Sequence, residues 1–188
     1  MFRPSSDDWL VLMEIARRSI SSAVLERRIP DLPPYPAALK ISRGAFVTLY
    51  RGGKLRGCMG QVEDLGPVAE VVARVAINAA LHDPRFPPLV TEEIANLDIE
   101  LSVLSLLEPI APDSIVAGHH GLVVARDRCR AVLLPQVALE KGWSGRKFLE
   151  ETCEKAGLAP GAWRDPATQI LGFTVDVFPE GGVRTITN

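Results

Sequence analysis

The sequence predicts an α+β fold, with a mostly antiparallel sheet flanked by helices. Residues 45–62 have the pattern of a β-hairpin, in which neighbouring strands are necessarily antiparallel. The later helices and strands follow in no regular β-α-β alternation, which disfavours a parallel sheet. At 188 residues the chain is long enough to bury a substantial hydrophobic core.

The first predicted element is an amphipathic helix that begins at Ser5 or Ser6 and runs to about Arg27. A serine followed by Asp7 and Asp8 is typical of a helix start, where negative charge meets the positive end of the helix dipole. Prolines between residues 30 and 36 end the helix and form a stiff connector. Apolar residues recur between its charged positions, at Leu10, Met13, Ile20 and Val24.

The hairpin follows this connector. Ala45–Tyr50 is rich in strand formers, Arg51–Lys54 contains two glycines and predicts a turn, and residues 55–62 return as the second strand. Cys58 lies on that second strand.

A long alanine-rich helix is predicted from Pro67 to about Leu81, and its composition indicates burial on most faces. Residues 83–89 predict a rigid proline-containing loop, and a short helix begins at Thr91. Residues 97–104 alternate apolar and polar side chains at period two, which predicts a half-buried strand. Its polar face carries Asp98, Glu100 and Ser102.

The remaining chain predicts a turn at 118–121, strands at 122–125 and 131–134, and a helix that begins at Pro135. A further helix is predicted over 144–156, ended by Gly157. Residues 170–178 predict one final strand.

Composition and charge exclude several classes of protein. Hydrophobic residues make up 47% and charged residues 23%, the formal net charge is -2 and the pI is near 5.9, so nucleic-acid binding is not expected. Three widely spaced cysteines predict neither a disulfide framework nor paired zinc ligands. Without an apolar run that could span a bilayer or serve as a signal core, we expect a cytoplasmic protein that does not enter membranes.

Cys58 is the strongest candidate for chemistry. It follows Arg56 and Gly57 and is followed by Gly60, in the run LRGCMG. Glycines allow close approach of another group, and a nearby arginine favours the nucleophilic thiolate. The alternative is a packed strand cysteine with Arg56 paired elsewhere, since cysteine is among the most buried residue types.

His120 is the second candidate, because imidazole is the side chain most easily poised for proton transfer near neutral pH. It follows His119 in a turn bounded by glycines. The other histidine, His82, lies at a predicted helix end, where a capping role is favoured over catalysis. Cys129 and Cys153 lack flanking glycines and are expected to be structural.

Asp83, Arg85 and Glu100 are candidates for orienting or balancing charge. A stiff loop presents Arg85 with little entropy left to lose, which suits binding of a small anion. The alternative is an internal ion pair of Arg85 with Asp83 or Glu100 that locks the loop. A metal site built from Cys58, His120 and a carboxylate has little support, and none is expected.

Taken together, the motifs resemble the AMMECR domain family, whose microbial members are called AmmeMemoRadiSam system protein A. The resemblance covers about residues 10–180 and identifies one AMMECR domain over residues 1–188. It is carried by LRGCMG, HDPRFPPL, LDIELSVLS, GHHGL and LLPQVA, in that order.

The resemblance implies a compact α+β unit with a larger and a smaller lobe and a cleft between them. It places the family histidine on His120 and implies an association with a Memo-like protein and a radical SAM protein. No reaction is established by it, and the cofactors stay unknown.

Two hypotheses follow from these residues. In the first, the protein is an enzyme or enzyme subunit in which Cys58 is the nucleophile or thiol carrier and His120 its base, with Arg56 or Arg85 holding an anionic substrate. In the second, the same residues form a non-catalytic module that binds a small ligand or a partner protein, and Cys58 only packs.

Overall fold

A computed structural model describes residues 4–63 and 66–180. The described chain divides into two compact units, one of residues 4–63, 66–104 and 176–180 and the other of residues 105–175. Four α-helices are described: α1 Ser6–Ser21, α2 Val68–Leu81, α3 Pro135–Lys141 and α4 Gly145–Lys155. Eight strands are described: β1 Ala45–Arg51, β2 Lys54–Gln61, β3 Leu97–Leu104, β4 Glu108–Pro109, β5 Gly121–Arg126, β6 Cys129–Leu133, β7 Gln169–Phe173 and β8 Val175–Pro179.

Helix α1 begins where the sequence predicts. Ser5 caps it, because its hydroxyl accepts from the Asp8 N–H at 3.1 Å while the Asp8 carboxylate accepts from the Ser5 N–H at 2.9 Å. After Ser21 the helix widens into a π-turn over Ser22–Glu26 and ends at Arg27. Of the apolar positions that predict this helix, Met13 and Ile20 are buried, whereas Leu10 is 60% exposed and its neighbour Trp9 is buried instead.

The first unit holds a sheet of strand order β2-β1-β3-β8. The predicted hairpin is confirmed as β1 and β2, and β1 also pairs antiparallel with β3. Helix α2 packs on this sheet, and nine of its residues are buried, which confirms its predicted burial. The apolar side chains of β1 and β3 that join this core are Ala45, Val47, Leu49, Leu97, Ile99, Leu101 and Val103.

Gly57 allows α2 and β2 to lie against each other. A Cβ at position 57 would lie 2.2 Å from the backbone oxygen of Ala79 in α2, a distance at which the two backbones would have to separate. Gly60 has a related role on the opposite face, where a Cβ would lie 2.0 Å from the ring of Phe46. Both glycines are therefore required by packing within the first unit.

The second unit holds a sheet of strand order β4-β7-β5-β6, with β4-β7, β5-β7 and β5-β6 paired antiparallel. Its core combines side chains of this sheet with α3 and α4, including Phe148 and Leu149. Gly157 ends α4 with φ +78°, as the sequence predicts.

The prediction of one final strand over 170–178 was wrong. The segment forms β7, which belongs to the second sheet, and β8, which belongs to the first. Thr174 separates them, and its N–H and carbonyl bond to Ser105 instead of to either sheet. The apolar alternation continues across Thr174, so no local signal marks the change of sheet.

Short helices at 37–40, 112–114 and 160–164 and the two-residue β4 have weak local signals and were not predicted. Among residues 4–63 and 66–180, no helix is both long and apolar enough to cross a membrane.

Gly57→Ala is expected to lower the free energy of unfolding by about 2 kcal/mol, because a methyl group there forces β2 away from α2. Urea denaturation measures the change. Gly161→Ala is the matched control: its Cβ would approach only the flexible end of Arg164, at 2.8 Å, so we expect a change below about 1 kcal/mol. Equal stability of the two variants would contradict the packing role of Gly57.

Candidate functional site

Cys58 lies on the face of the first sheet that points away from α2. Successive side chains of a strand alternate between faces, and Gly57 faces α2, so Cys58 faces the other way. The strand register places Thr48 opposite Cys58 on one side and Glu100 opposite Thr48 on the other. We call this surface, with Thr48, Cys58 and Glu100 in one row, the polar face.

Asp83 binds both Cys58 and Arg85. Its Oδ2 accepts from the Cys58 N–H at 2.8 Å and from Arg85 Nη2 at 2.7 Å. Its Oδ1 accepts from the Arg85 backbone N–H at 3.0 Å and from Arg85 Nε at 2.9 Å. The side chain is almost completely buried, and these bonds, those from Arg85 first, hold its pKa far below the ordinary range.

Arg85 reaches Cys58 as well as Asp83. Its Nη2 donates to the Cys58 carbonyl at 3.2 Å, while 54% of its side chain stays exposed. The pKa of Arg85 is raised, chiefly by the hydrogen bonds to Asp83. The predicted ion pair with Asp83 is therefore present, and it holds a positive charge against the backbone of half-buried Cys58.

Thr48 was missed by sequence reasoning. Its hydroxyl donates to Cys58 Sγ, with an Oγ1–Sγ distance of 3.4 Å. A threonine within a strand gives no sign of its cross-strand partner, so only the hairpin register could have indicated this contact.

Arg56 forms an ion pair with a second carboxylate, that of Glu93. Its Nε and Nη2 donate to Glu93 at 2.8 Å each, and its Nη1 donates to the Pro87 carbonyl at 3.0 Å. The Arg51 guanidinium and the Val90 N–H also bond to Glu93, at 3.1 Å each. Only 13% of the Arg56 side chain is exposed, so its contacts match the alternative in which it pairs elsewhere.

His120 belongs to the second unit, whereas Cys58 belongs to the first. Its Nδ1 accepts from the Val116 N–H at 3.0 Å, and its pKa is lowered by burial and by the neighbouring His119. With the Nδ1 lone pair in use, the neutral ring carries its proton on Nε2, so His120 can accept a proton only after the bond from Val116 is released. The role of His120 as a base stays a prediction.

The remaining candidates have simple placements. The His82 N–H donates to the Asn78 carbonyl at the end of α2, where a capping position was predicted. Cys129 is half-buried at the start of β6. Cys153 is fully buried in α4, and burial raises the pKa of its thiol. In the described ranges no three His, Cys, Asp or Glu side chains are grouped as a metal site.

Glu93→Gln is expected to destabilise the protein at pH 7 by roughly 2 kcal/mol, because it leaves Arg56 partly unpaired. The pKa of Glu93 is lowered from 4.5 to about 2, by Arg56 first. A carboxyl with a lowered pKa in the folded state stabilises the fold above its unfolded pKa, and that contribution is lost as the pH falls towards 2. Denaturation between pH 7 and pH 2 should show a flatter pH dependence in the variant.

The exposed neighbour Glu92 supplies the control for this measurement. Glu92→Gln should keep both the stability and the pH dependence of the wild type. If Glu93→Gln unfolds with the same pH dependence as the wild type, the ion pair has no part in acid stability.

Comparison with known proteins gives a consistent result. A family model described as AMMECR1 matches residues 13–178. A protein of Methanothermobacter thermautotrophicus is 41% identical, covering 95% of this chain and 97% of its own length. A protein of Thermococcus gammatolerans is 40% identical, with 95% of each chain covered.

A solved structure shares the fold. The crystal structure of the uncharacterized protein PH0010 from Pyrococcus horikoshii matches with a TM-score of 0.82 and 39% sequence identity, covering 91% of this chain and 90% of that one. The matched family region includes residues of both compact units. The chain belongs to the AMMECR1 family.

Proposed function

We propose that the protein is an enzyme, or an enzyme subunit, in which Cys58 is a nucleophile that acts on an anionic substrate. One observation carries this proposal: buried Asp83 holds the backbone of Cys58 and the guanidinium of Arg85 at the same time. Both Asp83 and Arg85 contact the backbone of Cys58, at its N–H and its carbonyl, and so hold the guanidinium next to the residue that carries the thiol. The thiol and the positive charge are thus fixed relative to each other before any ligand binds.

Arg85 has two roles in this proposal. Its charge favours the thiolate form of Cys58, which is the nucleophilic form. Its bonds to Asp83 and Cys58 use Nε and Nη2, so Nη1 is left outside this set for an oxygen of a carboxylate or phosphate. Arg56 is not assigned this role, because its guanidinium is engaged by Glu93 and Pro87.

The proposed reaction begins with release of the Cys58 proton to solvent or to a base. The Sγ electron pair then forms a bond to an electrophilic carbon of the substrate, and the leaving group departs with the electron pair of the bond that breaks. His120 stays a candidate for the base on its residue type alone, and Glu100 lies on the polar face in the row of Cys58.

A second candidate function uses the same arginine without chemistry. The half-exposed Arg85 side chain suits a binding module for a small anion or an acidic partner. Membership of the AMMECR1 family supports the proposed association with a Memo-like protein and a radical SAM protein. Mixing the purified proteins and measuring sedimentation tests that association directly.

In the wild type we expect Cys58 to react with iodoacetamide at pH 7 at least about threefold faster than Cys129, which is similarly half-buried. Arg85→Gln should lower the Cys58 rate by about threefold to tenfold, because a neighbouring positive charge is lost. Peptide mass spectrometry reads the three cysteines separately, and buried Cys153 marks any unfolded fraction.

Arg18→Gln is the matched control, since it removes one positive charge from an exposed position of α1 in the same unit. It should leave the Cys58 rate unchanged. Equal rates at Cys58 and Cys129 in the wild type would remove the nucleophile proposal and favour the binding module.

A further inference from the structure

We infer that Thr48 is a positioning residue for Cys58. In this role the Thr48 hydroxyl stabilises the Cys58 sulfur in its thiolate form and orients it along the polar face. This inference rests on the proposed function, in which Cys58 is the nucleophile. It adds to that site a residue that does not itself touch substrate.

The position of the Thr48 hydroxyl is determined by the sheet. Strand β1 lies between β2 and β3, so Thr48 is paired on both sides, with Cys58 and with Glu100. A β-branched side chain in a strand is restricted at χ1, which limits the directions that its hydroxyl can take. The resulting Oγ1–Sγ distance is 3.4 Å, with Thr48 as the donor.

Donation is the chemically informative part of this contact. A thiolate has no hydrogen and only accepts, whereas a neutral thiol gains little from a hydroxyl donor because its sulfur is a weak acceptor. The Thr48 hydroxyl therefore stabilises the thiolate more than the thiol. Arg85 donates to the Cys58 carbonyl from the loop after α2, so a positive charge lies near the same residue.

Glu100 lies opposite Thr48 on its other side, in β3. A carboxylate opposite Thr48 is a stronger acceptor than sulfur, and the hydroxyl has only one hydrogen. The contact that the structure gives for the Thr48 hydroxyl is with Cys58 Sγ, at 3.4 Å. The charged and titratable groups near Cys58 come from its own strand, from β1, from β3 and from the loop: Arg56, Tyr50, Asp98, Glu100, Asp83 and Arg85.

The competing explanation is that Thr48 is an ordinary strand residue, because threonine is common in sheets. Valine has almost the same shape as threonine and lacks the hydroxyl, so Thr48→Val separates the two explanations. Thr48→Ser keeps the hydroxyl and loses the methyl group. Tyr50→Phe is the matched control, since it removes a hydroxyl from the same strand two residues further on.

The experiment measures iodoacetamide alkylation of Cys58 at pH 7 and at pH 10 by peptide mass spectrometry. At pH 10 an ordinary thiol is ionised, so thiolate stabilisation no longer affects the rate. Thr48→Val should lower the pH 7 rate by about fivefold and leave the pH 10 rate within about twofold of wild type. Thr48→Ser and Tyr50→Phe should stay near wild type at both pH values.

Two results would overturn the inference while leaving the proposed function in place. One is an unchanged pH 7 rate in Thr48→Val; the other is an equal loss at both pH values, which indicates altered access to the sulfur. A wild-type Cys58 that reacts no faster than Cys129 would overturn the proposed function, and the inference with it. If Thr48→Val does not fold, as judged by Cys153 alkylation, Thr48→Ala takes its place with the same expectations.

Discussion

Asp83 is the group on which the arrangement around Cys58 depends. A carboxylate with almost no contact with water is stable only when its oxygens are hydrogen-bonded, and Asp83 meets this requirement with donors from both Cys58 and Arg85. The loop after α2, strand β2 and the guanidinium are consequently held by one side chain. Removing the Asp83 carboxylate would leave both the Arg85 guanidinium and the Cys58 N–H without this acceptor.

Two of the arginine–carboxylate pairs in the described part of the first unit differ in how much of the arginine they leave exposed. The pair of Arg56 with Glu93 is enclosed, and its remaining guanidinium nitrogen is used by a backbone carbonyl. The pair of Arg85 with Asp83 buries the carboxylate and leaves the arginine half-exposed. Both pairs contact strand β2, the first through Arg56 and the second through Cys58, and the second combines a fixed charge with exposure to a ligand. This contrast assigns the first pair to stability and the second to the proposed chemistry.

Local signals account for what the sequence predicted well. The hairpin, α2 and β3 each have their pattern within one short segment, so periodicity and turn residues were sufficient. The site required partners that are distant in sequence. Arg56 meets Glu93 37 residues later, and Thr48 meets Cys58 across the hairpin turn, so neither pairing has a local signal. The change of sheet at Thr174 was missed for the same reason, since it depends on a contact with Ser105.

The close approach of β2 and α2 also restricts which hairpin can form. If β2 slipped by one residue against β1, every side chain of the strand would change faces. Arg56 or Cys58 would then occupy the place of Gly57, with a Cβ directed at the Ala79 carbonyl, where no side chain fits. Gly57 therefore disfavours misaligned hairpins. In the observed alignment the thiol faces away from α2, whereas a shift of β2 by one residue in either direction would bring a side chain against the Ala79 carbonyl.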